Sequence, residues 1–139
     1  MCNFILVGAR ADVTELQRLL RGPDGELDTH VAAPPQAAGG LPPSDTVVCV
    51  TTEGCSCVLF DGLGITRSTK REVHLAGPGY VFRRALAAAT LRFGGIRLRA
   101  YNTSTTLPAC APARRRTTSL GLFLRHGLEA DDGIVFIVP

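Results

Sequence analysis

Two apolar runs, one near each end of the chain, constrain the fold more than any other feature. Residues 2–9 read CNFILVGA and residues 134–139 read IVFIVP, and neither run contains a charged residue. Such runs are typical of strands that are buried on both faces of a sheet. We therefore predict that both ends of the chain contribute strands, with the first strand at the centre of the sheet.

Helical periodicity predicts the layer that packs on these strands. Apolar residues recur at helical spacing over 13–20 and 80–93, and glycine follows each pattern. A third, short helix ending at His126 is predicted, with Thr118 or Ser119 as its N-cap. The chain has 139 residues, which suits one domain. We expect a single α+β domain, 1–139, in which two to three helices cover one face of a mixed sheet of five to six strands.

The remaining segments predict further strands and loops. Residues 26–33 and 71–75 are expected to form short strands, and residues 34–43, rich in proline and glycine, a connection. Residues 96–101 alternate strictly, so Arg97 and Arg99 are expected on a solvated face. The segment after this strand, up to Ser119, is expected to be a long loop.

Residues 46–60 predict a β-hairpin, because β-branched residues on both arms flank a turn at Glu53-Gly54. The turn sets a register across the hairpin: Thr52 with Cys55, Val50 with Cys57, and Val48 with Leu59. Since strand side chains alternate, Cys55 and Cys57 share one face and Cys49 projects from the other. Cys49 is therefore expected in the core, apart from the other two thiols.

The odd number of cysteines, five, argues against a disulfide framework. Cys2, Cys55 and Cys57 are a candidate thiolate site for a soft metal such as Zn, Cu or Fe. Cys110 or one of three histidines (His30, His74, His126) would complete the ligand set. Alternatively, Cys55 and Cys57 form a redox couple, or are simply small half-buried strand residues.

Cys2 is also a candidate catalytic nucleophile. Removal of Met1 would leave its thiol beside a free α-amine able to act as the base. This start, Met-Cys followed by an apolar strand, resembles that of N-terminal nucleophile hydrolases and class II glutamine amidotransferases, and the resemblance implies an N-terminal-Cys hydrolase or amidotransferase.

A second resemblance rests on the two sequence segments that contain the candidate thiolate residues. Met1-Cys2-x-Phe4 together with the hairpin sequence TTEGCSC is similar to a group of short bacterial proteins that open with Met-Cys-Thr-Phe and carry a Cys-x-Cys hairpin. That resemblance implies no particular activity.

Charge is distributed in blocks along the chain. Residues 1–66 carry a net −5, residues 67–125 a net +11, and residues 126–139 a net −3. A block this basic predicts an anionic partner, a phosphate ligand or a nucleic acid, unless the acidic block 1–66 folds onto it. The candidate anion-binding residues are Arg84, Arg92, Arg97, Arg99, Arg114, Arg115 and Arg116.

Other signals narrow the compartment and the function class. The chain shows no secretory signal and no apolar stretch long enough to span a membrane, so we expect a cytoplasmic protein. Fourteen arginines against the single Lys70 are typical of a GC-rich bacterial genome. No phosphate-binding loop and no hydrolase Gly-x-Ser-x-Gly motif occurs. A protein-partner role, such as that of a toxin-immunity protein, remains an alternative.

Overall fold

One mixed sheet of six strands organises the chain in the computed structural model, which describes residues 3–31, 41–42, 44–63, 77–102, 114–128 and 133–139. The spatial order is β2-β3-β1-β4-β6-β5, and every neighbouring pair is antiparallel except β5 with β6. The predicted central position of the first strand is confirmed. The strand bounds are β1 Asn3–Ala9, β2 Asp28–Val31, β3 Thr46–Thr51, β4 Ile96–Asn102, β5 Arg115–Ser119 and β6 Ile134–Val138.

Within the described residues, three α-helices and one 3₁₀ helix accompany the sheet, and the predicted α+β class is confirmed. Their ends follow the expected chemistry. Asp12 caps the first helix by accepting from the Glu15 N–H at 3.2 Å, and Ser119 caps the third by accepting from the Leu122 N–H at 3.2 Å. The helix bounds are α1 Val13–Leu20, the 3₁₀ helix Cys57–Leu63, α2 Pro78–Phe93 and α3 Leu120–His126.

All of these helices pack on the same face of the sheet and form the main core with it. Alternate residues of the central strands supply one side, and all four helices supply the other. The largest members that are almost completely buried are Ile5, Leu16, Leu20, Leu27, Leu59, Leu63, Phe82, Leu86, Ile96, Leu98 and Phe123. We call the opposite side, on which no described helix packs, the helix-free face.

The helix-free face carries a second, smaller apolar cluster. Its members are Leu6, Leu41, Val47 and Ile134, with Cys49 packed against them. Leu41 comes from the segment before β3, so that segment lies over part of this face. The first strand is therefore buried on both faces, as its apolar run predicts.

The prediction of a second strand in the hairpin is wrong. Thr52 does pair with Cys55, but only as an isolated bridge, and the chain then turns into the 3₁₀ helix. The expected pairings of Cys57 and Leu59 are absent because both edges of β3 are occupied, by β1 and β2. The 3₁₀ helix instead buries Leu59 in the main core.

The predicted long loop up to Ser119 is also wrong at its end. Arg115–Ser119 form β5, which runs parallel to β6, and the Ile134 N–H donates to the Arg114 carbonyl at 2.8 Å. The apolar β6 supplies the ladder that this polar segment joins. The strand expected at 71–75 lies outside the described residues, as does most of the 34–43 connection.

None of the helices in the described part of the chain combines the length and apolar character needed to cross a membrane.

Candidate functional site

The Cys-Ser-Cys segment forms a tight turn at one end of the sheet. Glu53 and Gly54 both have positive φ, 52° and 90°, as the two central residues of a tight hairpin turn require. Backbone hydrogen bonds close this turn in both directions, from Thr52 N to Cys55 O at 2.7 Å and from Cys55 N to Thr52 O at 3.3 Å. The turn thus holds Cys55 in place before the chain enters the 3₁₀ helix at Cys57.

Ser56, between the two cysteines, anchors this segment to the first strand. Its side chain is completely buried. The hydroxyl accepts from the Ile5 N–H at 3.0 Å and donates to the Val50 carbonyl. One hydroxyl therefore bridges β1 and β3 at the end of their ladder. It ties the Cys-Ser-Cys segment to Ile5, which follows Cys2 by three positions in the sequence.

Cys55 and Cys57 are half-buried, and neither forms a disulfide. Because Cys57 begins a 3₁₀ helix, the prediction that both thiols lie on one face of a strand is wrong. Within the described ranges no group of three or more His, Cys, Asp or Glu residues is arranged to hold a metal ion. Cys2 and Cys110 lie outside these ranges, so the catalytic role of Cys2 and the metal set of Cys2, Cys55 and Cys57 stay predictions.

Cys49 differs from these two thiols in its surroundings. It is half-buried beside the cluster on the helix-free face, opposite Leu6 of β1 and His30 of β2. Burial raises the pKa of the Cys49 thiol, although hydrogen bonding to the Ile5 backbone and the Ser56 side chain acts in the opposite direction. Cys49 is thus connected to the Cys-Ser-Cys segment through Ser56, which strand alternation alone did not predict, and it favours the neutral thiol.

Arg97 is committed to an internal ion pair rather than to a solvated face. Its Nη1 lies 2.9 Å from both carboxylate oxygens of Asp45, whose side chain is fully buried, and its guanidinium stacks over the Phe136 ring, 4.7 Å from the centroid. Gly8 makes room for this pair, since a Cβ there would meet Asp45 Oδ2 at 3.0 Å. The charge of Arg97 is thus offset within the chain, and its predicted role in binding an external anion stays a prediction.

Two other predicted arginines lie in the helical layer. Arg92 pairs with Glu15 at 2.8 Å and so links α2 to α1, while the Arg84 guanidinium lies 5.8 Å from the Tyr80 ring centroid. Their side chains belong to the opposite side of the sheet from Arg97. The seven predicted arginines are thus divided between two surfaces.

The remaining arginines gather around β6 and β5. Arg99 and Arg115 lie opposite the same residue, Ile134, from either side, and all three belong to the helix-free face. Two strand spacings separate the arginine Cα atoms, about 10 Å, so their side chains can reach one anion. Arg114, Arg115 and Arg116 are all exposed.

Two residues that the sequence did not single out shape these sites: Ser56, which joins the Cys-Ser-Cys segment to the first strand, and Asp45, which pairs with Arg97. Neither has a local sequence signal that indicates its partner. Arg83, a member of the basic block, donates to the Phe123 carbonyl at 3.4 Å and lies 5.5 Å from that ring's centroid.

Comparisons with protein-family models, with curated proteins and with solved structures found no match to this chain.

Proposed function

We propose that this chain binds a soft metal ion, Zn, Cu or Fe, through thiolates of Cys2, Cys55 and Cys57. The observation that supports this most directly is the Ser56 hydroxyl, which joins the Cys-Ser-Cys segment to Ile5 of the first strand. Ile5 follows Cys2 by only three positions in the sequence, so this anchor point belongs to the same short segment as Cys2. The proposal thus unites the two cysteine motifs of the sequence.

The chemistry of the described thiols fits this proposal. Cys55 and Cys57 retain partial access to solvent and form no disulfide. Thiolates are the ligands that soft cations prefer, and Zn²⁺ ordinarily takes four ligands. Cys110, a histidine or water would supply the fourth. Cys49 is left out, because burial keeps it as a neutral thiol. Such a site suits a reducing compartment, in agreement with the cytoplasmic location that we propose.

Metal analysis of protein purified without an affinity metal tests this proposal. We expect stoichiometric Zn, Cu or Fe in the wild-type chain, and loss of the metal in the Cys2→Ser and Cys57→Ser variants. Cys49→Ala is the matched control and should keep the metal. A metal-free wild-type protein that remains metal-free after incubation with each ion would refute the site. A Cys55–Cys57 disulfide found by mass spectrometry in such a protein would instead support the redox alternative.

A second candidate function, binding of a phosphate-bearing ligand, is supported by the placement of Arg99 and Arg115 around Ile134. We expect a single-stranded oligonucleotide to bind with an affinity that falls as salt rises, because arginine–phosphate contacts release counterions. Replacing both arginines with alanine should weaken binding, whereas Arg84→Ala on the helical layer should not. Salt-independent binding, or equal effects of these variants, would exclude this face as the interface.

A further inference from the structure

The sheet is open, and its two edge strands carry charges of opposite sign. β2 forms one edge and β5 the other, and within the described ranges no strand pairs with the outer side of either. Around β2, exposed acids precede and begin the strand: Asp24, Glu26 and Asp28. Three exposed arginines likewise precede and begin β5: Arg114, Arg115 and Arg116. We call residues 24–31, which include these acids, the acidic edge, and residues 114–119, which include these arginines, the basic edge.

No charge within either edge offsets its sign. The acidic edge, residues 24–31, contains no arginine or lysine, and the basic edge, residues 114–119, contains no acid. Four strands lie between the two edges of the sheet, so the charges of one edge cannot neutralise those of the other within the same molecule. Each edge therefore presents charges of one sign beside backbone groups with which no described strand pairs.

Strand direction and face make the two edges fit each other. Four antiparallel steps and one parallel step lead from β2 to β5, so the two strands run in the same direction. Asp28 lies opposite Thr51, and Arg115 lies opposite Ile134, which places both on the helix-free face. Two copies with their helices on the same side can therefore place β2 of one beside β5 of the other as parallel strands.

We propose that this chain associates with a second copy of itself, head to tail, by docking the acidic edge of one copy on the basic edge of the other. A register that sets Asp28 beside Arg115 pairs opposite charges. It also brings Val31, which is 55% exposed, beside Thr118, and so covers an apolar side chain at the end of the edge. Edge pairing then supplies backbone hydrogen bonds, and the charges select the partner strand.

The same charges disfavour the two symmetric alternatives. A two-fold dimer through β5 would join two basic edges and one through β2 two acidic edges, so neither gains the pair of opposite charges that the head-to-tail contact provides. The head-to-tail contact is heterologous, so each copy keeps one edge available after docking. Successive copies would extend the assembly.

Sedimentation velocity with charge-reversal variants tests this proposal. The wild-type chain should form dimers and longer species at low ionic strength, and should dissociate near 1 M salt, where the Debye length is only about 3 Å. Asp28→Arg and Arg115→Asp should each weaken self-association about tenfold. A mixture of these two variants should recover the longer species, with the two variants alternating, because Asp28 then meets Arg115 at one contact and the two substituted side chains, again of opposite charge, meet at the next.

The double variant Asp28→Arg, Arg115→Asp should recover self-association, since the reversed charges again match. Arg84→Asp, an exposed reversal on α2, is the control and should behave as the wild type does. Circular dichroism checks that each variant is folded. A wild-type chain that stays monomeric at low ionic strength, or a mixture of single variants that associates no more than either variant alone, would overturn the proposal. Since Asp28 lies at the opposite edge of the sheet from Arg115, loss of association in Asp28→Arg with oligonucleotide binding intact separates this contact from the second candidate function.

Discussion

The two faces of the sheet are built from different interactions. On the helix-covered face, apolar side chains from the central strands and all four helices form one continuous cluster. On the helix-free face, a cluster of four apolar residues adjoins a partly buried ion pair between Asp45 and Arg97, which are 52 positions apart. The first face needs only apolar residues at the right spacing, whereas the second needs particular partners in particular places.

This difference separates stability from specificity. Apolar contacts are non-directional and tolerate exchange among side chains of similar volume. A buried carboxylate and its guanidinium partner tolerate little, because either one alone is an uncompensated charge. The helix-covered face is therefore expected to supply most of the free energy of folding, and the helix-free face to fix how the segment before β3 lies on the sheet.

Truncation of the main core should have the largest effect. Phe82 of α2 is completely buried in the helix-covered cluster. We expect Phe82→Ala to lower the free energy of unfolding by about 3–5 kcal/mol, through lost burial and the cavity that remains. Urea denaturation followed by circular dichroism measures this. Leu91→Ala on the same helix, where the side chain is 65% exposed, should stay within about 0.5 kcal/mol of the wild type.

Loss of the ion pair on the helix-free face should have the second largest effect on the free energy of unfolding. Arg97→Ala leaves the fully buried Asp45 carboxylate without its guanidinium, which we expect to cost about 3 kcal/mol in the same denaturation measurement. Replacing both residues with apolar ones should recover much of this loss, because no charge is then left buried. If Arg97→Ala and the exposed Arg84→Ala had equal, small effects, the helix-free face would not depend on this pair.

How far the sequence predicts this molecule follows the same division. The apolar periodicity of α1, α2, β1 and β6 predicted these elements, the central position of β1 and the covered face, because burial acts on spacing alone. The secondary structure that Cys57 and Arg115 adopt was not predictable from apolar spacing. Cys57 left the expected hairpin because β1 and β2 occupy both edges of β3, and Arg115 entered a strand because β6 was available to pair with it.

The candidate site shows the same limit at the level of single residues. The Cys-x-Cys spacing identified the segment, but the role of Ser56 depends on Ile5 and Val50, which only the folded sheet brings to its hydroxyl. Likewise, alternation placed Arg97 on the face opposite the helices, yet nothing local to Arg97 indicated Asp45. Polar contacts between distant positions have no periodicity, so they leave no pattern to read.

Removal of the Ser56 hydroxyl should have an intermediate effect. Ser56→Ala leaves the Ile5 N–H and the Val50 carbonyl without this partner at a completely buried position, and we expect a loss of about 1–3 kcal/mol. Hydrogen exchange should show faster exchange at the Ile5 amide than at the amide of Val7, further along the same strand. An unchanged Ile5 exchange rate in Ser56→Ala would mean that the serine does not anchor β1.

The smallest effect expected is a pH dependence from Cys49. Burial raises the pKa of this thiol in the folded chain above its value in the unfolded chain. The resulting stabilisation is present in full below the unfolded thiol pKa, about 8.5, and is lost as the pH rises through the folded pKa. The wild-type chain should therefore lose more stability between neutral and alkaline pH than Cys49→Ala does, as urea midpoints measured across that range would show. Parallel pH profiles for the two proteins would mean that the thiol titrates alike in the folded and unfolded chains, and that the helix-free face does not shield it from water.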